Sequence, residues 1–320
     1  MGSKRKGGSG PRQDFRRRRY TIVAKAPPRS KISRAVLYVL DHFSIDDIET
    51  YQKRYQDLYD FFWSEFAFYS QARSRKTEEI RSALREVCEP LEFDDWHRVV
   101  AFQYSTVPLS AKGSRLSTQG GRFNIGSLDA SKFIAFPALY LAEDAVTARS
   151  EWFRSDLSKG AGELAPHDFS LTLETSNSIA RIRGRLGDVV DLSNDDSLRA
   201  FLKRIRRMAP SDELLEKAES LGLNRPTAVR NLKQLKALLF APDWAFFPTF
   251  LDIPHNSQIF GLFAKLAGVE GLVYPSKFTG RKCLAVFPEN INGDSFVELK
   301  DRAPDGTITV LNKDTWKDLV

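Results

Sequence analysis

Cysteine is scarce in this chain. Cys88 and Cys283 are the only two in 320 residues, too few and too far apart for a zinc cluster or a disulfide framework. The four histidines, His42, His97, His167 and His255, show no HxxxH or HxH spacing, so no metal site is written. No run of 18 apolar residues occurs and no apolar stretch follows the charged N-terminus, which argues against a membrane span and a secretory signal. Met1-Gly2 opens like a myristoylation signal, but Lys6 stands where Ser or Thr is wanted. Also missing are a GxGxxG after a strand, a Walker loop, a GxSxG elbow and any internal repeat. A soluble, cytoplasmic chain is expected.

Core-forming residues are plentiful: 42% are apolar, including 23 Phe, 9 Tyr and 5 Trp, which excludes a wholly disordered or collagen-like chain. The net charge of +7 suggests a polyanion partner until it is located. Eight basic residues, Lys4, Arg5, Lys6, Arg12 and Arg16 to Arg19, face one acid, Asp14, within residues 1–19. That tail therefore carries the whole excess, and the remainder is neutral. Residues 1–29 read as a basic disordered lead-in, so any contact with nucleic acid is expected only there.

Residues 30–90 read as a helical layer. Ser44 and Asp47 resemble a capping box, and Tyr51, Tyr55, Leu58, Phe62, Phe66 and Tyr69 recur at helical spacing over about five turns. This stripe reads as packing. Thr77 is placed to cap a second helix with Ile80, Ala83, Leu84, Val87 and Cys88 on one face, ended by Pro90. From residue 91 to 320 the texture is short strands with inserted helices, which gives an α+β class. Strands are expected at Arg98–Tyr104, Leu139–Leu141, Phe169–Glu174, Asp188–Leu192 and Cys283–Phe287. Phe296–Leu299 and Ile308–Leu311 flank a Pro304-Asp305-Gly306 turn signal. A helical insertion at about 195–240 comprises Ser197–Met208 and Ser211–Leu221, the latter closed by Gly222, and holds ten Lys and Arg between Arg199 and Lys236.

Three stretches could carry chemistry. In Gly120-Gly121-Arg122-Phe123-Asn124 the glycine pair could bring backbone N–H groups close to a phosphate. Arg122 offers a planar bidentate fork, and Asn124 a neutral donor and acceptor. Further on, Leu139-Tyr140-Leu141 leads into a helix whose first turn suits Glu143 and Asp144. Glu151 lies two turns in, with Asp144, Thr147 and Ala148 as small neighbours on its face. Finally, Ser276 follows the strand-like Gly271–Pro275 behind a proline that forces an extended approach.

In this order, and with Trp96-His97-Arg98 before them, Val189–Leu192 and Gln258-Ile259 between them and Leu284–Phe287 after, these motifs resemble the RES family over about residues 96–290. The resemblance implies an NAD-consuming toxin of a toxin–antitoxin system with an ADP-ribosyltransferase-like fold. It also implies a small helical Xre-type antitoxin as partner, and homo-oligomer formation. NAD would be the substrate, with no metal. Arg122, Glu151 and Ser276 would be catalytic; Arg98, Gly120, Gly121, Arg122, Asn124 and Tyr140 would bind NAD. The chain departs from small members in its residues 30–90, in a longer stretch between Arg122 and Tyr140, and in the 195–240 insertion.

Cleaving the nicotinamide–ribose bond develops positive charge on the ribose, as in glycoside cleavage, so the chemistry needs a pyrophosphate clamp and a nearby carboxylate. Tyr140 would stack on nicotinamide or bond the ribose, and Ser276 would fix the nicotinamide end or Glu151. Water or inorganic phosphate as acceptor gives an NAD glycohydrolase or phosphorylase, and a protein side chain gives an ADP-ribosyltransferase. The rivals are a nucleic-acid-binding protein acting through its tail, and a silent interaction protein on the same fold. The first lacks aromatics interleaved with basic residues outside the tail, and the second is weakened by the presence of Arg122, Tyr140, Glu151 and Ser276.

Overall fold

Ser44 and Asp47 close a capping box: the Ser44 N–H donates to Asp47 Oδ2 at 2.9 Å and the Asp47 N–H to Ser44 Oγ at 3.1 Å. They start α1 (Ile45–Ser74). The computed structural model describes residues 44–154 and 176–320; the basic tail, residues 30–43 and the expected strand Phe169–Glu174 lie outside the described residues. The chain divides into two compact units, Met1–Asp60 and Phe61–Val320, which part within α1. The described part of the first unit is Ser44 and the opening half of α1, where Gln56 donates to Asp60 at 2.8 Å.

In the second unit the aromatic stripe packs as expected. Phe62 meets Phe247 edge-on at 5.6 Å, and Phe66 meets Phe133 at 5.6 Å. Phe61, which the stripe leaves out, is the residue of this helix that is buried outright, against Leu214 and Ala218. α2 (Thr77–Arg85) buries Ile80, Ala83 and Leu84, but Thr77 does not cap it: Lys76 takes that position without a side-chain bond, and the Thr77 hydroxyl donates to the Ser74 carbonyl. Pro90 does not end it either, because β1 (Glu89–Ala101) has already begun. The strand expected at Arg98–Tyr104 thus lies earlier in the chain, and Phe102–Tyr104 is a single 3-10 turn with both aromatics exposed.

The remaining elements are α3 (Lys112–Leu116), β2 (Leu139–Ala142), α4 (Ala145–Phe153), β3 (Asn177–Asp191), α5 (Asp195–Ile205), α6 (Asp212–Ser220) and α7 (Leu232–Leu239). They continue with α8 (Asn256–Leu266), β4 (Gly271–Pro275), β5 (Lys282–Val286), β6 (Phe296–Leu299), β7 (Val310–Leu311) and α9 (Trp316–Leu319). Helix and sheet are mixed, with helices leading, as the α+β reading requires. Asn194, Ser211 and Asn231 each cap a helix of the insertion by accepting a backbone N–H. Gly306, at φ 84°, supplies the left-handed residue of the β6–β7 connection.

Strand pairing runs β1–β2–β5–β4–β3, and β3 returns to β1, so the pairings close a ring of five strands; β6 and β7 extend from β3. Because side chains alternate, the ring has two faces. Trp96, Leu139, Leu141, Ile182, Val273, Leu284 and Val286 form one core. Tyr140, Ala142, Leu272, Tyr274, Cys283 and Ala285 turn the other way, into a second core shared with α2, α5, α7 and α8.

Helix α8 lies tight against the chain at Phe123. A Cβ on Gly261 would stand 1.9 Å from the Phe123 carbonyl oxygen, whereas one on Gly113 would meet nothing within 4 Å. Gly261→Ala is therefore expected to lower stability by about 1–3 kcal/mol through overpacking, and Gly113→Ala to leave it unchanged or slightly raised. Urea unfolding midpoints of the two variants check this.

Candidate active site

The segment Gly120–Asn124 is a closed loop and not an open cradle. Its N–H groups are used internally: Gly120 donates to Ser117 O at 3.1 Å, Gly121 to Asn124 Oδ1 at 2.9 Å, and Phe123 to the Tyr140 hydroxyl at 3.0 Å. Asn124 is fully buried, and its amide is saturated. Nδ2 donates to Ser114 O and Phe136 O, while Oδ1 accepts from Gly121 N–H and the Tyr140 hydroxyl. Gly120 adopts φ 65°, and a Cβ on Gly121 would collide with the Tyr140 ring at 2.4–2.5 Å. The glycines thus serve the turn and make room for Tyr140, and Asn124 holds the loop that presents Arg122.

Tyr140 is likewise committed. Its hydroxyl bridges Phe123 N–H and Asn124 Oδ1, and burial raises its pKa above the ordinary phenol value. The side chain holds the loop.

That loop presents Arg122. The guanidinium is buried and donates to the Ala241 carbonyl at 3.1 Å, its one hydrogen bond among the described residues, and lies 5.8 Å from the Trp244 ring. Arg154, left-handed at the end of α4, stands 5.9 Å from the same ring and donates to Gln119 Oε1. The pKa of Lys277 is lowered by burial and then by Arg122, with Arg154 acting in the same sense and Glu151 opposing. Arg122 and Arg154 thus flank the Trp244 ring, and Lys277, which donates to Pro242 O, feels both of them and Glu151. A buried guanidinium with most of its fork unbonded fits an anionic ligand such as a pyrophosphate.

Glu151 is placed by docking α4 on the β4–β5 turn. Asp144, Thr147 and Glu151 lie on one face of α4 and meet Arg281, Thr279 and Ser276 in turn, at 3.2, 2.9 and 2.6 Å. Asp144 also caps α4 through the Thr147 N–H. Ser276 is buried. Its Oγ donates to Glu151 Oε1 and accepts from the backbone of Phe278 and Thr279. Sequence order separates Arg122, Glu151 and Ser276, and the fold brings them together.

Arg98 does not join them. It shares a strand face with Trp96 and Val100, the face of the other core, so the sheet lies between it and Tyr140. Its Nη2 donates to Ser110 O at 2.8 Å, Nε and Nη1 have no partner among the described residues, and burial brings its pKa down to about 10. Residues the motifs did not single out are Trp244, Arg154, Lys277 and His255. Trp244 follows directly on the insertion, and an aromatic in the polar turn Pro242-Asp243-Trp244 was the one local signal for it.

Helix α8 ties this loop down. Gln258 Nε2 donates to Gln119 O, Gly121 O and Asn124 O at 2.7–3.0 Å, while its Oε1 accepts from His255 N–H. No protein-family model and no curated protein matches the chain. Among solved structures it is similar to the M. tuberculosis MbcT–MbcA toxin–antitoxin complex, at TM-score 0.38 and 16% identity over 76% of this chain and 97% of that one. At that score the likeness bears on neither fold nor activity.

His255 caps α8 by accepting the Ser257 N–H on Nδ1, which requires the neutral ring. Burial first, and Arg122 second, hold its pKa at about 4. The unfolded imidazole, at about 6.5, binds the proton more readily. Stability from this group is complete above pH 6.5 and falls as pH drops towards 4, by at most about 3 kcal/mol. His255→Asn keeps a capping acceptor without titrating. Its unfolding free energy should therefore fall less than that of the wild type between pH 7 and pH 4.5, as measured by urea denaturation.

Proposed function

We propose that the chain cleaves the nicotinamide–ribose bond of NAD, and that it acts as a toxin by depleting NAD. The observation that carries this reading is the 2.6 Å Ser276–Glu151 hydrogen bond beside a buried, largely unbonded Arg122. The motif order supports it: the residues that resemble a RES triad are remote in sequence and converge in space.

In this mechanism Arg122, with Arg154 and Lys277, clamps the pyrophosphate, and the exposed part of Trp244 faces a planar base. Ser276 donates to Oε1 of Glu151 and leaves Oε2 for the ribose. The glycosidic C–N bond breaks with its electron pair passing to the pyridinium nitrogen, which leaves as neutral nicotinamide. The cation left on the ribose is stabilised by the Glu151 carboxylate. An acceptor oxygen then bonds to the same carbon and loses its proton. Water, inorganic phosphate and a protein side chain would yield ADP-ribose, its phosphorylated form and a modified protein respectively. In the cell an antitoxin would be the controlling partner.

Purified protein incubated with NAD, with and without phosphate, should release nicotinamide, and the second product identifies the acceptor. Glu151→Gln and Arg122→Ala should each lower turnover by about 10²–10³ with unchanged circular dichroism, and Ser276→Ala by less, since it orients and does not carry charge. Wild-type turnover in Glu151→Gln would refute the site, and normal growth and NAD levels under strong bacterial expression would refute the toxin role.

A further inference from the structure

Apart from the Arg122–Glu151 cluster, α1, α5, α7, α8 and the turn at Phe247–Leu251 enclose a cavity of about 260 Å³. Phe62, Phe66, Phe201, Phe260 and Phe263 give it apolar walls. Glu65, Tyr69 and Arg73, spaced four residues apart on one face of α1, line the same space. Arg122, Tyr140, Glu151 and Ser276 take no part in it.

The charged wall is unusual for a packing core. Arg73 makes one hydrogen bond, from Nη1 to the neutral Asn256 Oδ1 at 3.3 Å, and no carboxylate among the described residues lies at ion-pair distance from it. Burial brings its pKa down to about 10, which leaves it cationic at neutral pH. Glu65 makes no side-chain hydrogen bond among the described residues. Burial raises its pKa and the Arg73 charge opposes the rise. Both side chains are half-buried; charges drawn partly out of water are costly unless paired or hydrogen-bonded, so two such groups with bonding capacity left over, on the wall of a cavity, mark a site that a ligand completes.

We propose that this cavity binds a small apolar amino acid, its carboxylate on the Arg73 guanidinium, its ammonium facing Glu65, and its aromatic or branched side chain among the phenylalanines. The charges select the class. A simple acid would meet Glu65 unpaired and a simple amine would meet Arg73 unpaired, whereas a zwitterion satisfies both. The volume, just under the ~300–1,000 Å³ of pockets for drug-sized ligands, suits a single ring or branched chain. Thr227, exposed and on the cavity wall, marks the entrance.

Calorimetric titration of the full chain tests this with L-phenylalanine and L-leucine as probes, and 3-phenylpropionate and phenethylamine as single-charge analogues. Saturable one-to-one binding of at least one amino acid is expected, with the analogues weaker by about tenfold or more. Arg73→Gln and Glu65→Gln should each weaken binding by a similar factor. Thr227→Trp, which fills the entrance from an exposed position, should abolish binding with unchanged unfolding behaviour, and so keeps the test open if either charge variant fails to fold. No saturable binding of either amino acid at millimolar concentration would overturn the proposal, as would equal binding of an analogue or unchanged affinity in Thr227→Trp. None of these readouts involves NAD, so the result stands apart from the activity proposed above.

Discussion

A single primary amide, that of Asn124, holds the candidate site together. Both of its N–H donors and both of its acceptor positions are used, and it is shut off from solvent. Each bond lost at such a depth exposes a desolvated partner, at about 1–3 kcal/mol apiece. Asn124 therefore fixes at once the turn that carries Arg122, the hydroxyl of Tyr140, the middle of α3 through Ser114, and the segment at Phe136. A second buried amide, Gln258, grips the same loop from α8 through three carbonyls. Arg122 is thus aimed by backbone it does not itself control, and its guanidinium stays available for a ligand.

The opposing carboxylate is placed by a separate device, the three-rung docking of α4 on the β4–β5 turn. Clamp and carboxylate have separate supports, linked directly by the hydrogen bond from Arg154 at the end of α4 to Gln119 beside the loop. Trp244 lies close to two guanidinium groups, those of Arg122 and Arg154. An aromatic face attracts each cation through its quadrupole, which lets like charges gather where they would otherwise repel. The ring and the Ala241 carbonyl both come from the segment just after α7, which therefore supplies part of the site's wall.

Signals confined to a few residues were legible in the sequence. The capping box at Ser44, the turn at Gly306, the strands holding Tyr140 and Ser276 and the helix holding Glu151 all depend on local geometry. What the sequence leaves open depends on what the fold sets side by side. Nothing local shows that Ser117, Asn124 and Tyr140 take up N–H groups of the Gly120–Asn124 loop. Arg98 looks like a clamp until the strand's alternation sets it on the other face. The extent of β1 was misread because its pairing with β3, and not the propensity of Phe102 or Tyr104, decides where it ends. Arg154 and Lys277 are ordinary surface-type residues whose meaning lies only in what the fold puts beside them.

Closing the five strands into a ring has a consequence for how molecules of this protein meet one another. A strand at a sheet edge offers unpaired N–H and C=O groups to any passing chain and is a common seed of aggregation. Among the described residues β1 bonds to strands on both sides, so the place where an open sheet would begin is already occupied. The free end is left to β7, two residues long, too short to template another strand. Ring closure thereby leaves less strand edge open to other chains, although β1 meets β2 at the single pair His97–Ala142.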